Sequence, residues 1–371
     1  MAADKTAVVA GHICLDVIPD LSRFQAGQFI ELFQPGHLIQ IGGVQLATGG
    51  AVSNTGQALH ILGIPTHLIA KVGSDAFGEF VRRSIGARDP RLADGIVIDS
   101  NSSTSYSIII SPPGVDRIFL HSPGANDTFT SQDIDFDAVA RADLFHFGYP
   151  PMMRAMYQDQ GDELVKMFRQ AKAAGVTTSL DMAFPDPSGT SGQVDWTEIL
   201  CRCLPFVDVF LPSIDEILWM IRRETYERMI GNGGILASIT PALLADLSSA
   251  LLAMGTRIVG LKLGERGFYL RTAADLCGLG RAAPTHLDEW QGQSLWEPCF
   301  KVNVAGTTGS GDATIAGFLA GLLHDLTPQT AATMAVAVGA CNVEAADATS
   351  GIRSWEETVR RIAAGWAQNP L

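Results

Sequence analysis

Positive charge is scarce in this chain of 371 residues, which has 26 lysines and arginines against 39 aspartates and glutamates. The formal net charge is −13 at pH 7. Proteins that bind nucleic acids or anionic membranes use clusters of lysine and arginine to neutralise phosphates. The composition therefore argues against a nucleic acid or a membrane surface as the main partner.

Long apolar runs are also missing. No stretch reaches the roughly 18 residues that a membrane helix needs, and the polar residues 1–6 do not resemble the start of a signal peptide. The six cysteines are scattered without zinc-site spacing, so they indicate reduced, buried thiols. We expect a cytoplasmic protein without a signal peptide.

Hydrophobic residues make up 47% of the chain, enough for one large α/β domain or two smaller ones. From Leu144 onwards, short apolar strands alternate with helical patterns, which is typical of βα units and a parallel sheet. Residues 95–120 differ, because apolar and polar side chains alternate there and predict a β-hairpin. No composition break marks a second domain, so we expect a single domain over residues 1–371.

The most informative pattern lies at residues 306–323, where a loop of small residues leads into an apolar helix. The N–H groups of Gly309, Ser310 and Gly311 would be unpaired at the helix start, and with the helix dipole they form a site suited to phosphate. Asp312 follows directly. A carboxylate there makes chemical sense if it takes the proton from a hydroxyl that attacks phosphorus, although an N-capping role is an equal alternative on spacing alone.

This stretch, GTTGSGDATIAGFL, resembles the C-terminal signature of the PfkB (ribokinase-like) carbohydrate kinases, usually DTTGAGD. Other family motifs follow in order along the chain, namely GG-x-x-x-N at 49–54, VG-x-D-x-FG at 72–78, N-x-x-E at 213–216 and LG-x-x-G at 263–267. Neither a Walker lysine nor the glycine fingerprint of a dehydrogenase is present. The resemblance implies a ribokinase-like three-layer α/β/α sandwich with a mostly parallel central sheet and a small β-sheet lid.

The family's lid is implied to come from residues of about 15–48 and 95–121. In relatives the lid closes over the sugar and often forms a dimer, and an exposed sheet edge favours such pairing. The resemblance thus implies a homodimer through the lid, with a small sugar and ATP as the bound molecules.

The resemblance also assigns roles to individual residues. Asp312 is implied to be the general base, beside an anion hole formed by Gly309, Ser310 and Gly311. Three residues are implied to bind the sugar: Asp16, Gly50 and Asn54. Three are implied to bind ATP: Gly264, Gly267 and Lys262. Glu216 is implied to act on Mg²⁺ through water, although Lys262 could instead be an edge-strand charge and Glu216 a helix-start acid.

Three positions depart from the family pattern. Gly306 replaces an aspartate that helps to hold a monovalent cation, which removes the usual reason to expect potassium activation. Ser213 replaces the asparagine of N-x-x-E and would orient a water less firmly. Ala51 replaces the lysine of ribokinases, so ribose is not a required substrate.

The sequence favours ATP-dependent phosphorylation of a sugar hydroxyl. A nucleoside kinase of the same fold is the first alternative, and a non-catalytic regulatory relative is the second. Sequence alone does not name the sugar or the hydroxyl, and keto-sugar acids stay open as acceptors.

Several local expectations can be compared with the structure. An apolar run at 7–15 predicts one buried strand that ends at Asp16, and His12 is expected to be a satisfied core or rim histidine. Asp181 is expected at a strand end near the phosphates. Trp290 and Trp296 are expected to pack as a loop core rather than to stack on adenine.

Overall fold

The computed structural model describes residues 5–24, 35–113 and 118–371. Its strands are β1 (Ala7–Gly11), β2 (Cys14–Pro19), β3 (Val44–Gly49), β4 (Thr66–Gly73), β5 (Ile96–Asp99), β6 (Tyr106–Ile110), β7 (Ile118–Ser122), β8 (Leu144–Gly148), β9 (Thr177–Asp181), β10 (Val209–Phe210), β11 (Ile258–Lys262), β12 (Phe268–Thr272) and β13 (Ser294–Glu297). Its helices are α1 (Ala51–Ile61), α2 (Ala76–Gly86), α3 (Phe136–Arg141), α4 (Arg154–Tyr157), α5 (Asp162–Ala173), α6 (Trp196–Cys203), α7 (Ile214–Ile221), α8 (Arg223–Gly231), α9 (Pro241–Ala253), α10 (Leu287–Trp290), α11 (Ser310–Leu323), α12 (Pro328–Asn342) and α13 (Trp355–Ala363).

A nine-stranded sheet forms the middle layer, in the order β13-β12-β11-β10-β9-β8-β1-β4-β5. The strands from β11 to β5 are parallel to their neighbours, and β12 and β13 pair antiparallel at one edge. Along β1, Ala7 and Val9 pack on one face with α1, α2, α11 and α12, while Val8 and Ala10 pack on the other with α5, α6, α7 and α9. This alternation follows from the two-residue period of a strand. The predicted three-layer α/β/α architecture is confirmed.

A second, four-stranded sheet has the order β3-β2-β6-β7. The single strand predicted at 7–15 is wrong, because the chain leaves the large sheet after Gly11 and enters the small sheet at Cys14. Gly11 has φ +125°, and a Cβ there would lie 2.4 Å from the carbonyl oxygen of Gly148. Only glycine suits this turn. Asp16 consequently lies within β2, not at the end of β1.

The hairpin predicted over residues 95–120 is also only partly right. The hairpin consists of β6 and β7, whereas β5 adds to the edge of the large sheet, parallel to β4. Gly95 permits this, since a Cβ there would lie 2.2 Å from the carbonyl oxygen of Leu68. The small sheet draws its strands from the two segments expected to form the lid. Residues 25–34 of the first segment and 114–117 of the second lie outside the described residues.

Asn126 fixes the crossing from the large sheet to the small one. Its amide nitrogen donates to the carbonyl oxygen of Ile13 at 2.9 Å, and its oxygen accepts from the Ile13 N–H at 3.3 Å. These two bonds satisfy the backbone N–H and C=O groups of Ile13, as a neighbouring strand would. They hold the short link between β1 and β2, which belongs to neither sheet.

In the described part of the chain, no helix combines the length and apolar character required to cross a bilayer. All six cysteines are free thiols. The expectation that they are buried is wrong for Cys201 and Cys277, which are exposed.

Candidate active site

The start of α11 differs in one respect from the prediction of three unpaired N–H groups. The helix begins at Ser310, and Gly309 precedes it in the left-handed region with φ +70°. The Ser310 N–H donates to the carbonyl oxygen of Thr307 at 3.3 Å, whereas the next N–H groups lie in the first turn, where a helix offers no acceptor. The backbone of Gly311 therefore supplies a donor at the positive end of the helix dipole.

Asp312 lies in the first turn of α11 and is only 2% exposed. Its carboxylate accepts hydrogen bonds from Asn54 Nδ2 at 3.0 Å, from Thr55 Oγ1 at 3.1 Å and from the Tyr149 hydroxyl at 2.8 Å. The N-capping alternative is wrong, because Gly309 occupies the cap position. The structure thus brings the predicted pair Asp312 and Asn54 together, and it orients the carboxylate with three donors.

Tyr149 and Thr55 were not predicted. Tyr149 immediately follows β8 and has φ +67°, an uncommon conformation for a residue with a side chain. Burial, with the nearby Asp312 carboxylate, raises the pKa of the Tyr149 hydroxyl, so it remains a proton donor. Its position at the carboxyl end of a parallel strand was the available signal.

Lys262 and Asp181 form a buried ion pair, with Nζ and Oδ1 separated by 2.6 Å. They end β11 and β9, which flank β10, so the alternative of an edge-strand charge is wrong for Lys262. Burial lowers the pKa of Lys262, but Asp181, Glu216 and Asp312 outweigh it and raise the pKa above its ordinary value. A Cβ on Gly311 would lie 3.7 Å from Lys262 Nζ, which places this cation next to the helix start.

Glu216 lies in the first turn of α7, where its Oε2 accepts the N–H of Ser213 at 2.7 Å. Burial, together with Asp215 and Asp312, raises the pKa of Glu216 to about 7 against the opposing effect of Lys262. Asp181 Oδ2 is buried without a hydrogen-bond partner among the described residues. The same part of the chain contains no group of three or more candidate metal ligands. Mg²⁺ sites often use only one or two carboxylates plus water and phosphate, so this donor set fits Mg²⁺.

A cavity of about 830 Å³ opens beside the start of α11. Lys262, Gly264, Gly267 and Gly311 line it. Gly267 has a packing reason of its own, since a Cβ there would lie 2.0 Å from the carbonyl oxygen of Glu297. Much of the wall is apolar, with side chains from α8, the following loop, the segment before α11, and α12: Ile230, Ile235, Leu236, Val302, Val336 and Val343.

The two tryptophans pack as predicted. Trp290 is buried and donates to the carbonyl oxygen of Leu326 at 3.1 Å. Trp296 donates to the carbonyl oxygen of Arg266 at 2.8 Å. Neither lines the cavity.

Asp16, Gly50 and His12 meet where the small sheet joins α1. Gly50 has φ +88°, and a Cβ there would lie 2.6 Å from His12 Nδ1. A Cβ on the preceding Gly49 would lie 2.3 Å from Asp16 Oδ2. The Cys14 thiol lies 3.4 Å from Asp16 Oδ1. The expectation of a satisfied His12 is wrong, because both ring nitrogens are buried and unpartnered among the described residues.

A model of the pfkB family carbohydrate kinases matches residues 4–355. The chain belongs to this family. Fructokinase-2 of Oryza sativa subsp. japonica is 23% identical over 327 residues, which cover 87% of this chain and 82% of that protein. An ATP-dependent ribose-1-phosphate kinase of Halopiger xanaduensis is 25% identical over 292 residues, covering 79% of each. The structure of Arabidopsis thaliana ribokinase complexed with ribose and ATP has the same fold, with a TM-score of 0.72 and 17% identity over 96% of this chain and 98% of that one.

For this carbohydrate kinase, two of the departures from the family motifs lie at closely packed positions. A Cβ on Gly306 would lie 2.9 Å from both the Cα and the carbonyl oxygen of Ala346, so an aspartate does not fit without movement. Ala51 is fully buried, and a Cβ added to Gly148 would lie 2.2 Å from the Cβ of Ala51. Asp75, whose role the sequence left open, caps α2 through Gly78 N and accepts from the Thr104 hydroxyl at 2.6 Å.

Proposed function

We propose that this chain transfers the terminal phosphoryl group of ATP to a hydroxyl of a small sugar, with Asp312 as the general base. One observation carries the proposal. Asp312 is buried at the start of α11, close to the buried cation Lys262 and in direct contact with Asn54. This arrangement supports the proposal, because hydroxyl attack on phosphorus requires a base beside an anion site.

Asp312 has room for one more donor. A carboxylate has about four lone-pair positions, and Asn54, Thr55 and Tyr149 use three of them. The sugar hydroxyl takes the remaining position, and its proton passes to Asp312 as its oxygen bonds to phosphorus. Asp16, Gly50 and Asn54 bind the other hydroxyl groups of the sugar.

The start of α11 stabilises the group in transfer. In this proposal the N–H groups of Gly309 and Gly311 face the developing negative charge, the Ser310 N–H joins them by exchanging the Thr307 carbonyl oxygen for phosphate, and Lys262 neutralises part of the charge. The bond between the phosphorus and the bridging oxygen of ATP breaks, and ADP leaves with that electron pair. Such reactions depend mostly on positioning and electrostatics.

Glu216, acting through water, and the free oxygen of Asp181 would hold Mg²⁺ on the ATP phosphates. When bound, this ion supplies positive charge that offsets the charge of the phosphate oxygens. Glu216 must be ionised for this purpose, and its raised pKa of about 7 makes the ionisation sensitive to pH.

The cavity beside α11 is the nucleotide site in this proposal. Its volume of about 830 Å³ lies in the usual range for small-molecule pockets. Gly264, Gly267 and Lys262 line it near the phosphates, while the apolar wall suits an adenine ring. Residues 222–240 supply part of that wall through Ile230, Ile235 and Leu236.

A second copy of the chain is proposed to cover the small sheet. Apolar side chains on or beside its strands are strongly exposed: Leu38, Ile41, Val44, Leu46, Ile118 and Leu120. Val44 is 60% exposed and lies on an edge strand, where unpaired backbone groups also favour association. Sedimentation should give a dimer for the wild type and a monomer for Leu46→Asp. A monomeric wild type contradicts the dimer without affecting the catalytic proposal.

The central experiment measures ATP consumption with Mg²⁺ across pentoses, hexoses, keto-sugar acids, sugar phosphates and nucleosides. Asp312→Asn keeps the size of the side chain but removes the base, so kcat should fall by about 10²–10⁴. Asp288→Asn, on the exposed face of α10, is the matched control and should keep wild-type rates. An active, folded Asp312→Asn enzyme would overturn the proposal.

A further inference from the structure

Near Asp312, two histidines are left unused by the mechanism above. His12 is 1% exposed, and neither of its ring nitrogens has a hydrogen-bond partner among the described residues. The Nε2 atom of His121 is likewise buried and unpartnered there, as is the Oδ1 atom of Asn54. Leaving a buried polar atom unpaired costs roughly 1–3 kcal/mol, so several such atoms in one place point to a ligand.

These groups come from separate elements, and a series of neighbouring side chains connects them to Asp312. His12 lies between β1 and β2, and His121 lies in β7 of the small sheet. The two rings are 5.2 Å apart between centroids, and His12 is 5.9 Å from the ring of Tyr149. Tyr149 in turn donates to Asp312. Asn54 touches the same carboxylate through its amide nitrogen, so its free oxygen lies beside the reacting centre.

Both histidines are neutral near pH 7. Burial, with a smaller effect of His121, holds the pKa of His12 well below its ordinary value. Burial lowers the pKa of His121 to about 4. No lysine or arginine of the described residues contributes to either shift. The carboxylates nearby, Asp16 beyond Gly49 and Asp312 beyond Tyr149, would repel an anion.

A neutral imidazole has one donor nitrogen and one acceptor nitrogen. A sugar hydroxyl can satisfy either one, because it both donates and accepts. His121 Nδ1 already lies 2.9 Å from Ser107 Oγ, which fixes the ring and leaves Nε2 for a ligand. A phosphate or carboxylate group would find donors here but no positive charge to compensate for its lost hydration.

We propose that His12 and His121 bind hydroxyl groups of the acceptor and select an uncharged polyhydroxy sugar over a phosphorylated or carboxylated one. This inference rests on the proposed function and narrows it. It distinguishes two acceptor chemistries, the unmodified sugar and the sugar phosphate, that a carbohydrate kinase fold can serve.

The experiment compares matched acceptors and matched variants. Initial rates are measured with MgATP and either D-fructose or D-fructose 6-phosphate, and either D-ribose or D-ribose 5-phosphate. His12→Phe and His121→Phe remove the polar atoms, whereas His121→Asn keeps a donor and an acceptor. His286→Asn, at an exposed position before α10, is the control. Thermal melting establishes that each variant is folded.

We expect one of the uncharged sugars to be preferred to its phosphate by about 100-fold or more in kcat/KM, since an unneutralised buried charge is disfavoured. Each phenylalanine variant should raise the KM of that sugar roughly tenfold, the worth of one lost hydrogen bond. His121→Asn should lose less, and the KM of ATP should stay unchanged throughout.

Two results would overturn the inference while leaving the proposed function intact. One is preference for a phosphorylated sugar, and the other is an unchanged sugar KM in both folded phenylalanine variants. If His12→Phe and His121→Phe do not fold, an unchanged sugar KM in His121→Asn and His12→Asn has the same meaning. If no sugar is turned over, calorimetric titration of the same four compounds decides, and failure to bind either uncharged sugar overturns it. Full activity of Asp312→Asn would instead remove the proposed function itself.

Discussion

The groups that line the cavity beside α11 and the groups that lie between the small sheet and Asp312 differ in charge. On the cavity side, the Lys262 cation is compensated by Asp181 at 2.6 Å and by further carboxylates. On the other side, His12 and His121 are neutral, and both ring nitrogens of His12 and the Nε2 atom of His121 lack partners among the described residues. Strand ends of the large sheet supply Lys262 and Asp181, whereas the small sheet and its link supply His121 and His12. In the proposed function, one buried carboxylate therefore serves a charged donor and an uncharged acceptor, each bound by a different layer of the fold.

The largest effect, on the free energy of unfolding, is expected from removing the Lys262 cation. Lys262→Met leaves Asp181, which is fully buried, without its cation. Removing one partner of a buried pair typically costs about 3–5 kcal/mol. We expect a loss of this size in the free energy of unfolding, measured with urea. The double variant Lys262→Met with Asp181→Leu should recover much of it, and a loss below about 1 kcal/mol in Lys262→Met would contradict a pair of this importance.

The next effect depends on pH. The folded-state pKa of Glu216 is about 7 and its ordinary value is 4.5, so the folded protein binds this proton more tightly than the unfolded chain. Stability from this group is therefore present below pH 4.5 and is lost as pH rises through 7. The full loss is about 3 kcal/mol at about 1.4 kcal/mol per pKa unit.

Glu216→Gln removes that titration but keeps an oxygen for the Ser213 N–H. The variant should be more stable than the wild type by about 1–3 kcal/mol at pH 8 without Mg²⁺, and equal to it near pH 4.5. Its Mg²⁺-dependent ATP consumption should nevertheless fall. Parallel stability curves for the two proteins from pH 4.5 to 8 would show that Glu216 does not titrate as described.

A smaller effect, on kcat, is expected at Tyr149, which lies between His12 and Asp312. Tyr149→Phe removes one of the three donors that orient Asp312, so kcat should fall roughly tenfold, with little change in the KM of ATP. Tyr157→Phe is the matched control, because its hydroxyl bonds to Thr190, away from Asp312. A purely structural role for Tyr149 would lower the melting temperature without this separation of kcat from KM.

The smallest effect concerns the monovalent cation. Gly306 lies against the backbone of Ala346, and the family's aspartate is absent. Replacing potassium by sodium at equal ionic strength should leave the rate unchanged. Activation by potassium alone would mean that other groups hold the cation.

The sequence predicted those features that depend on neighbours in the chain. The glycine-rich turn before Asp312 and the helical spacing of the apolar residues after it indicate the start of α11 without knowledge of the fold. The alternating pattern at 95–120 predicted strands, but an alternating pattern does not say which sheet a strand joins, and β5 joined the large one. Gly95 allowed this approach, and a glycine alone has no pattern.

The proposed site residues that lie outside the family motifs share one property. Tyr149 reaches Asp312 across 163 positions, and His12, in the link between β1 and β2, meets His121 in β7. Each is an isolated polar residue at the end of an apolar segment, where local sequence does not reveal a distant partner. Motif resemblance found Asn54, Lys262 and Glu216, whose neighbours carry family patterns, but it had no pattern for Tyr149.

The bonds from α1 to Asp312 have a consequence for how the protein matures. Asn54 and Thr55 are 258 and 257 positions from Asp312, which accepts their hydrogen bonds. Each bond therefore closes a very long loop, and other contacts must form first to offset the entropy lost on closing it. During synthesis, α1 leaves the ribosome long before α11 exists, and its inner face stays uncovered until residues 310–323 emerge. We therefore expect the reactive centre to be among the last parts to form, so that a chain interrupted before α11 retains much of the sheet and none of the chemistry.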